Sequence, residues 1–347
     1  MDLQISNSIS RLRYLLILSI VMSHSCAHII ASNNINWYNT GIYNLLKLIA
    51  DFGGFIGTSV FFFISGYLFY KDNFNINAYL HNIKKRFNSL LIPYFFWNTF
   101  VILFYSIIEN IHLFKSLMPN RKLVIESNLW EILGYYFHPI ANQFWFVKDL
   151  FIVCLISFII YKALTINNKL GKVIIITIFV LWTFEFNLSF GIIEMETLCM
   201  FSLGGYIRIY HINIINYLKR NIYLVSFFPL LMGCYLINPL SFDKNYFYVI
   251  AALFSVPFGI YITKSQSNLN KIETTLSSAS FFIFCFFEPF LISLKKILFY
   301  LLEPQNNLFI STIAILMFIT VITVSILLYN TFKKLSPTFI RIITGGR

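Results

Sequence analysis

Charge is what this sequence has least of. Asp, Glu, Lys and Arg together make up 12% of its 347 residues, where a soluble domain carries about a quarter. Hydrophobic residues make up 58% and the mean hydropathy is +0.73, so an ordinary soluble domain is excluded and a membrane protein is implied. Acidic residues are the scarcer sign, 14 against 26 basic, for a net charge of +12. A nucleic-acid partner would need that excess on one water-exposed surface. Here the basic residues sit between apolar runs, where cytoplasmic loops collect Lys and Arg beside anionic head groups; membrane lipid is the expected partner, and nucleic acid is not.

Cysteine is also sparse. Cys26, Cys154, Cys199, Cys234 and Cys285 fall singly within apolar runs, an odd and scattered set that makes neither a disulfide framework nor a metal site; no metal is expected. Gly53, Gly54 and Gly57 precede an apolar run, not a strand-to-helix turn, so they suit close helix packing better than a phosphate loop. No leader with a small-residue cleavage site precedes the first apolar run, so that run is read as a retained span. Internal repeats and low-complexity tracts are absent.

What is present is a series of stretches long enough to cross about 30 Å of hydrocarbon. Ten candidates lie near 13–30, 52–70, 90–111, 143–161, 172–190, 192–210, 221–238, 246–263, 278–300 and 309–329. The expected fold is all-α: a polytopic transmembrane helical bundle of about ten spans, forming a single membrane-embedded domain over 1–347. Placing both termini in the cytoplasm puts most of the basic residues inside, including Arg13, Lys71, Lys84, Lys85, Arg86, Arg208 and Arg341. It leaves Lys47, Lys115, Arg121, Lys122, Lys244, Lys295 and Lys296 outside, which supports N-in and C-in. The longest connection, 112–142, then faces outward and is too short to be a separate domain.

The first span, "RYLLILSIVMSH" at 13–24, carries an arginine at one end and a histidine at the other. At 100° per residue, eleven steps bring His24 to within roughly 20° of Arg13, about 16 Å further along the axis. His28, one turn on, continues the same face. An arginine at a cytoplasmic helix end is an ordinary topological anchor that can snorkel. An ionisable group at membrane depth is rarer, faces the bundle interior and marks substrate or proton paths, although a packed, hydrogen-bonded histidine is the alternative for His24.

Arginine, ten residues, then histidine in the first span resembles the signature of the membrane-bound acyltransferase-3 family. "FFFISGYLFY" (61–70), "KKRFNSLLIPYFFW" (84–97), "QFWFVKDL" (143–150), "FSLGGYI" (201–207) and "SFFIFCFFEPFL" (280–291) are similar to later landmarks of that family, in order and spacing. Two positions depart from it. Where the family often has a second basic residue three after the loop arginine, this chain has Ser89, with Lys84 and Lys85 nearby. Where it often has a histidine before Glu-Pro in the ninth span, this chain has Phe287 before Glu288 and Pro289.

The resemblance implies a bacterial inner-membrane, multi-pass O-acyltransferase. Its donor would be acyl-CoA, acetyl-CoA first, and its acceptor a cell-surface glycan or its undecaprenyl-linked precursor. CoA phosphates call for arginine forks or lysine charges, and Arg13, Arg86, Lys85 and Lys84 at cytoplasmic helix ends are the candidates, with positive-inside anchoring as the bland reading of each. Acyl transfer to a hydroxyl needs a base, and histidine titrates in the suitable range; His24 is the candidate, as base or as transient acyl carrier. Glu288 would orient His24 or His28 in the manner of a triad acid, bind an acceptor hydroxyl, or form a structural ion pair. His28, Trp145 and Asp149 are candidates for the acceptor side, with a local Lys148–Asp149 pair as the alternative for Asp149. Glu185, Glu194 and Glu196 face outward on this topology and could join Trp145 at a sugar.

Two other functions compete. A transporter or flippase for a lipid-linked glycan would use the buried His and Glu as a proton relay, but it lacks the repeat common in such folds. A glycan polymerase would present a large outward loop with arginines, whereas 112–142 has only Arg121.

Overall fold

The protein is described by a computed structural model covering residues 3–31, 41–71, 74–111, 124–185, 192–237, 244–264, 268–303 and 306–346. Among these residues all regular structure is helical: α1 Leu3–Ile30, α2 Gly41–Phe69, α3 Ile76–Arg86, α4 Ile92–Ile108, α5 Leu129–Gly134, α6 Trp145–Thr165 and α7 Asn168–Thr183. They are followed by α8 Met195–Ile209, α9 Ile214–Arg220, α10 Tyr223–Ile237, α11 Lys244–Thr263, α12 Lys271–Leu302, α13 Asn307–Leu335 and α14 Pro337–Ile343.

Helix starts are written locally, by asparagine. The Asn75, Asn167, Asn213 and Asn306 side chains accept from the N–H three residues on, satisfying a donor that the first turn leaves orphaned. Asn128 and Asn270 do the same within complete capping boxes closed by Glu131 and Glu273. At the start of α12 the Arg11 Nε–H donates to Glu273 Oε1 at 3.0 Å, and that hydrogen bond holds the Glu273 carboxyl below its usual range.

Each expected stretch coincides with a helix, but the lengths differ. Among the described residues, six helical segments are long and apolar enough to cross a membrane, or seven if α8 and α9, which meet at 97°, count as one broken span. The helices α7, α8 and α10 have only 16, 15 and 15 residues, about 23 Å at 1.5 Å per residue, short of the hydrocarbon thickness. The expected end of the fifth span, 186–190, lies outside the described residues, as do Lys115, Arg121 and Lys122 of the outward connection.

The stretch from Lys84 to Trp97 is not the basic loop expected of it. Asn75 starts a helix early, so Lys84, Lys85 and Arg86 form the last turn of α3. The chain then continues through a π-helical turn, Phe87–Leu91, into α4. Pro93 has no N–H to give Ser89 in a regular ladder, and the turn is widened there, with the Ile92 N–H reaching Phe87 O.

Small residues set the central packing. A Cβ on Gly53 would lie 2.9 Å from Ser19 O, and Ser19 and Ser23 donate across the α1–α2 contact to Gly53 O and Ala50 O at 3.1 and 2.7 Å. Between α2 and α8 the fit is closer: a Cβ on Gly66 would come 2.0 Å from Phe201 O and one on Gly204 2.1 Å from Phe63 O, so both backbones meet where side chains are missing. Helix α1 is surrounded by α2, α11, α12 and α13. Its polar face is therefore directed into protein. All five cysteines are free, and all but Cys234 are buried.

Candidate active site

The site begins with α1. Its His24 and His28, a turn apart, both reach one carboxylate on α12, that of Glu288. His24 Nδ1 lies 2.8 Å from Oε2 and His28 Nε2 lies 3.1 Å from Oε1. The Glu288 side chain is 8% exposed and that of His24 27%, so the carboxylate is held inside the protein while the imidazole meets open space. The His28 contact is a formed hydrogen bond. The His24 contact is close but not in line, which leaves Oε2 without an aligned donor. Apo catalytic hydrogen bonds are often misaligned in this way and tighten with substrate.

Nδ1 of His24 is turned to the carboxylate, and a proton carried on that nitrogen would leave Nε2 as the acceptor. The structure also resolves the departure at Phe287: its ring packs edge-on to His24 with centroids 5.0 Å apart, and the second imidazole on Glu288 comes from His28 of the same helix as His24. Of the alternatives for Glu288, contact with both histidines is what the packing gives.

His24, His28 and Glu288 are also the one group among the described residues with metal-compatible spacing, their ligand atoms lying within 4.8 Å of one another. Tetrahedral zinc with bonds near 2.0–2.1 Å would hold its ligands about 3.3 Å apart. Here each carboxylate oxygen is instead at direct hydrogen-bonding distance from a ring nitrogen, so the three residues fit a proton-handling triad better than a metal cage.

Three cavities adjoin along the bundle. The first, about 310 Å³, is lined by His24, Ser23, Thr58, Gln143, Trp145 and Phe284. The second, about 350 Å³, shares Phe284 and carries Arg13 and Arg86 together with Ser277, Ser278 and Ser280. The third, about 840 Å³, shares Arg86 and Leu68 with the second and is lined by Lys71, Lys85 and Arg341. The two ends of the α1 polar face thus open into neighbouring spaces: His24 at one, Arg13 at the other. Lys84 is exposed and lines none of them, unlike Lys85 and Arg86.

Trp145 joins His24 at the cavity wall, but Asp149 does not. Asp149 is buried and its Oδ2 accepts from the Glu194 N–H at 2.8 Å and the Thr197 hydroxyl at 3.5 Å, so it caps the start of α8. Lys148 approaches its other oxygen only to 3.8 Å. Glu194 and Glu185 border a recess of about 290 Å³ with Trp182, Asn245 and Tyr248, and Phe55 lines both this recess and the His24 cavity. Glu196 points inward instead, accepting from Ser59 at 2.6 Å and Thr58 at 3.0 Å.

One residue at the His24 cavity was not singled out from sequence. Gln143 is 4% exposed, and neither its Oε1 nor its Nε2 has a hydrogen-bond partner among the described residues. A glutamine carrying a structural load would be satisfied, because each unpaired buried polar atom costs about 1–3 kcal/mol. Its sequence signal was the position directly before the aromatic run that opens α6, in a segment that reads as simply apolar.

Comparison with known proteins gives one result. The family model described as an acyltransferase domain, acyltransferase-3, matches residues 6–330, which takes in both ends of the polar face and Glu288. No curated protein matches, and no solved structure matches.

Proposed function

The chain belongs to the acyltransferase-3 family, and from that premise we propose that it is an O-acyltransferase. It would move an acyl group, acetyl first, from acyl-CoA on the cytoplasmic side to a hydroxyl of a cell-surface glycan or its undecaprenyl-linked precursor in a bacterial inner membrane. The observation that carries this reading is His24 with Nδ1 on the buried Glu288 carboxylate. The same residue lines a cavity that adjoins the one holding Arg13 and Arg86. A histidine and an arginine on one helix face would serve a thioester with a phosphorylated carrier as base and anion-binding end.

In the direct route the acceptor O–H gives its proton to His24 Nε2 as its oxygen attacks the thioester carbonyl. The C–S bond then breaks and the CoA thiolate takes the proton back from the imidazolium. Glu288 stabilises that imidazolium while His28 holds the carboxylate from its other side. In the carrier route His24 Nε2 attacks the thioester carbonyl first, the C–S bond breaks and CoA leaves as thiolate; the sugar hydroxyl then attacks the acyl carbon, the N–acyl bond breaks, and the hydroxyl proton neutralises the thiolate. An acyl-His species trapped without acceptor belongs only to the second. The Gln143 carboxamide, in the wall of the same cavity, would donate to the carbonyl oxygen as charge develops on it. On the acceptor side, Trp145 offers a stacking face in the cavity, and the recess with Trp182, Tyr248, Glu185 and Glu194 offers stacking and hydrogen-bond acceptors to neighbouring sugar units. Asp149 acts there through its hold on the Glu194 backbone.

A transporter would also use a buried His–Glu pair. The two readings separate by product mass: polysaccharide from cells carrying the native chain should hold an acyl group on its repeat unit that cells carrying His24→Ala lack, at equal expression and unchanged polymer amount. A native chain that adds no acyl mass, and whose deletion changes polymer quantity, would refute the reading in favour of transport.

A further inference from the structure

Four cations converge on the cavity of about 840 Å³: Lys71 just beyond the end of α2, Lys85 and Arg86 from the end of α3, and Arg341 from α14. Among the described residues no carboxylate lines it. The topological rule accounts for these residues lying on one side of a membrane, but it gives no reason for elements so distant in sequence to bring them into one hollow, where like charges repel. A volume of about 840 Å³ lies toward the upper end of small-molecule sites. The arrangement calls for an extended polyanion.

The residue that completes it is held there by the C-terminal segment. The Trp97 Nε1–H donates to Ile343 O at 3.0 Å, fastening the end of α14 to α4. Gly345, with φ +68, then lies so close to the π-helical turn that a Cβ would come 2.3 Å from Ser89 O, in a conformation that other residues rarely adopt. Ser89 thus brings no cation of its own, yet its backbone is the surface on which the C-terminal segment seats. Arg341 is exposed and forms no ion pair among the described residues. Its guanidinium is a planar fork suited to phosphate oxygens.

We propose that Arg341 binds a phosphate of the acyl donor, supplying from the C-terminal helix the positive charge that position 89 lacks. This rests on the acyl-CoA reading above and extends it to a residue counted in the sequence only as an inner-side charge. Lys71 contributes to the same phosphates as a point charge. A lipid head group offers the same phosphate chemistry, so the test must separate the two sources.

The full chain is reconstituted in nanodiscs of phosphatidylcholine alone and in discs containing phosphatidylglycerol. Dissociation constants are measured for acetyl-CoA and for S-acetylpantetheine, which keeps the thioester arm and has no phosphate. Arg341→Gln is expected to weaken acetyl-CoA by about tenfold or more, the loss of one charge-assisted hydrogen bond, in both lipids. The preference over S-acetylpantetheine should fall by the same factor, with Arg341→Lys intermediate. Thermal melting in the discs confirms that each variant is folded. Unchanged acetyl-CoA affinity in Arg341→Gln overturns the proposal while the native chain's binding keeps the donor reading intact. A loss seen only in phosphatidylglycerol discs also overturns it and assigns Arg341 to lipid. A native chain that binds acetyl-CoA in neither lipid removes the donor reading and this proposal with it.

Discussion

Glu288→Gln tests the centre of the mechanism with little change of shape. The carboxylate gives one oxygen to each imidazole, 2.8 Å to His24 Nδ1 and 3.1 Å to His28 Nε2. A glutamine gives one oxygen and one NH2. If the NH2 faces His24, Nδ1 must become an acceptor, the proton moves to Nε2, and the nitrogen that should take the acceptor proton is blocked. If the oxygen faces His24, the tautomer survives but the imidazolium loses its counter-charge. A charge-assisted hydrogen bond is worth about 1.5–3 kcal/mol, roughly one to two decades in rate. An enforced wrong tautomer in a Ser-His-Asp triad costs about 10⁴ in kcat. The expected fall is therefore about 10- to 10⁴-fold in kcat with acetyl-CoA binding retained, read from release of the CoA thiol at saturating donor and acceptor. Native turnover in a folded Glu288→Gln would refute the assignment, leaving the two histidines and the glutamate as a structural ion pair between α1 and α12.

Two further outcomes follow from particular contacts. Gln143→Leu should lower kcat by about 10²- to 10³-fold, the loss of one oxyanion donor, with donor affinity unchanged; a change confined to the melting temperature would make Gln143 a packing residue. Gly204→Val should prevent accumulation of folded protein or lower its stability by at least about 1–3 kcal/mol through overpacking, since its Cβ would lie 2.1 Å from Phe63 O. Native yield and melting temperature in that variant would contradict the close approach of α2 and α8.

Much of the site was legible because it is periodic. His24 and Arg13 are related by a whole number of turns to within a small angle, and a helix cannot hide that relation; the same periodicity placed His28 one turn from His24. Asparagine caps are equally local, as Asn270 with Glu273 shows. Lys84 was less legible than Lys85 and Arg86, because three adjacent charges on one helix end look alike in sequence, while only some of them face a given cavity. Asp149 was a candidate for the acceptor side beside Trp145, with a local pair to Lys148 as the alternative, whereas the structure buries it, at a cost. That cost is met by the Glu194 N–H and the Thr197 hydroxyl, partners some 45 residues away that no local pattern announces.

The sequence by itself determined that the chain is a helical membrane protein, where its helices lie and which helix carries an arginine and a histidine on one face. Each of these depends on apolar length, charge position and a fixed 100° turn, all properties of neighbouring residues. Tertiary structure decided which carboxylate meets His24, why Phe287 can stand where the family often has histidine, and that Gln143 lines the same cavity. It also decided that Arg341, at the far end of the chain, lines one cavity with Arg86 and Ser89. Those relations arise where helices distant in sequence cross, at points fixed by glycine contacts such as Gly66 with Phe201 and by the widened turn before Pro93. A crossing depends on the shapes of two surfaces at once, so neither segment contains it alone.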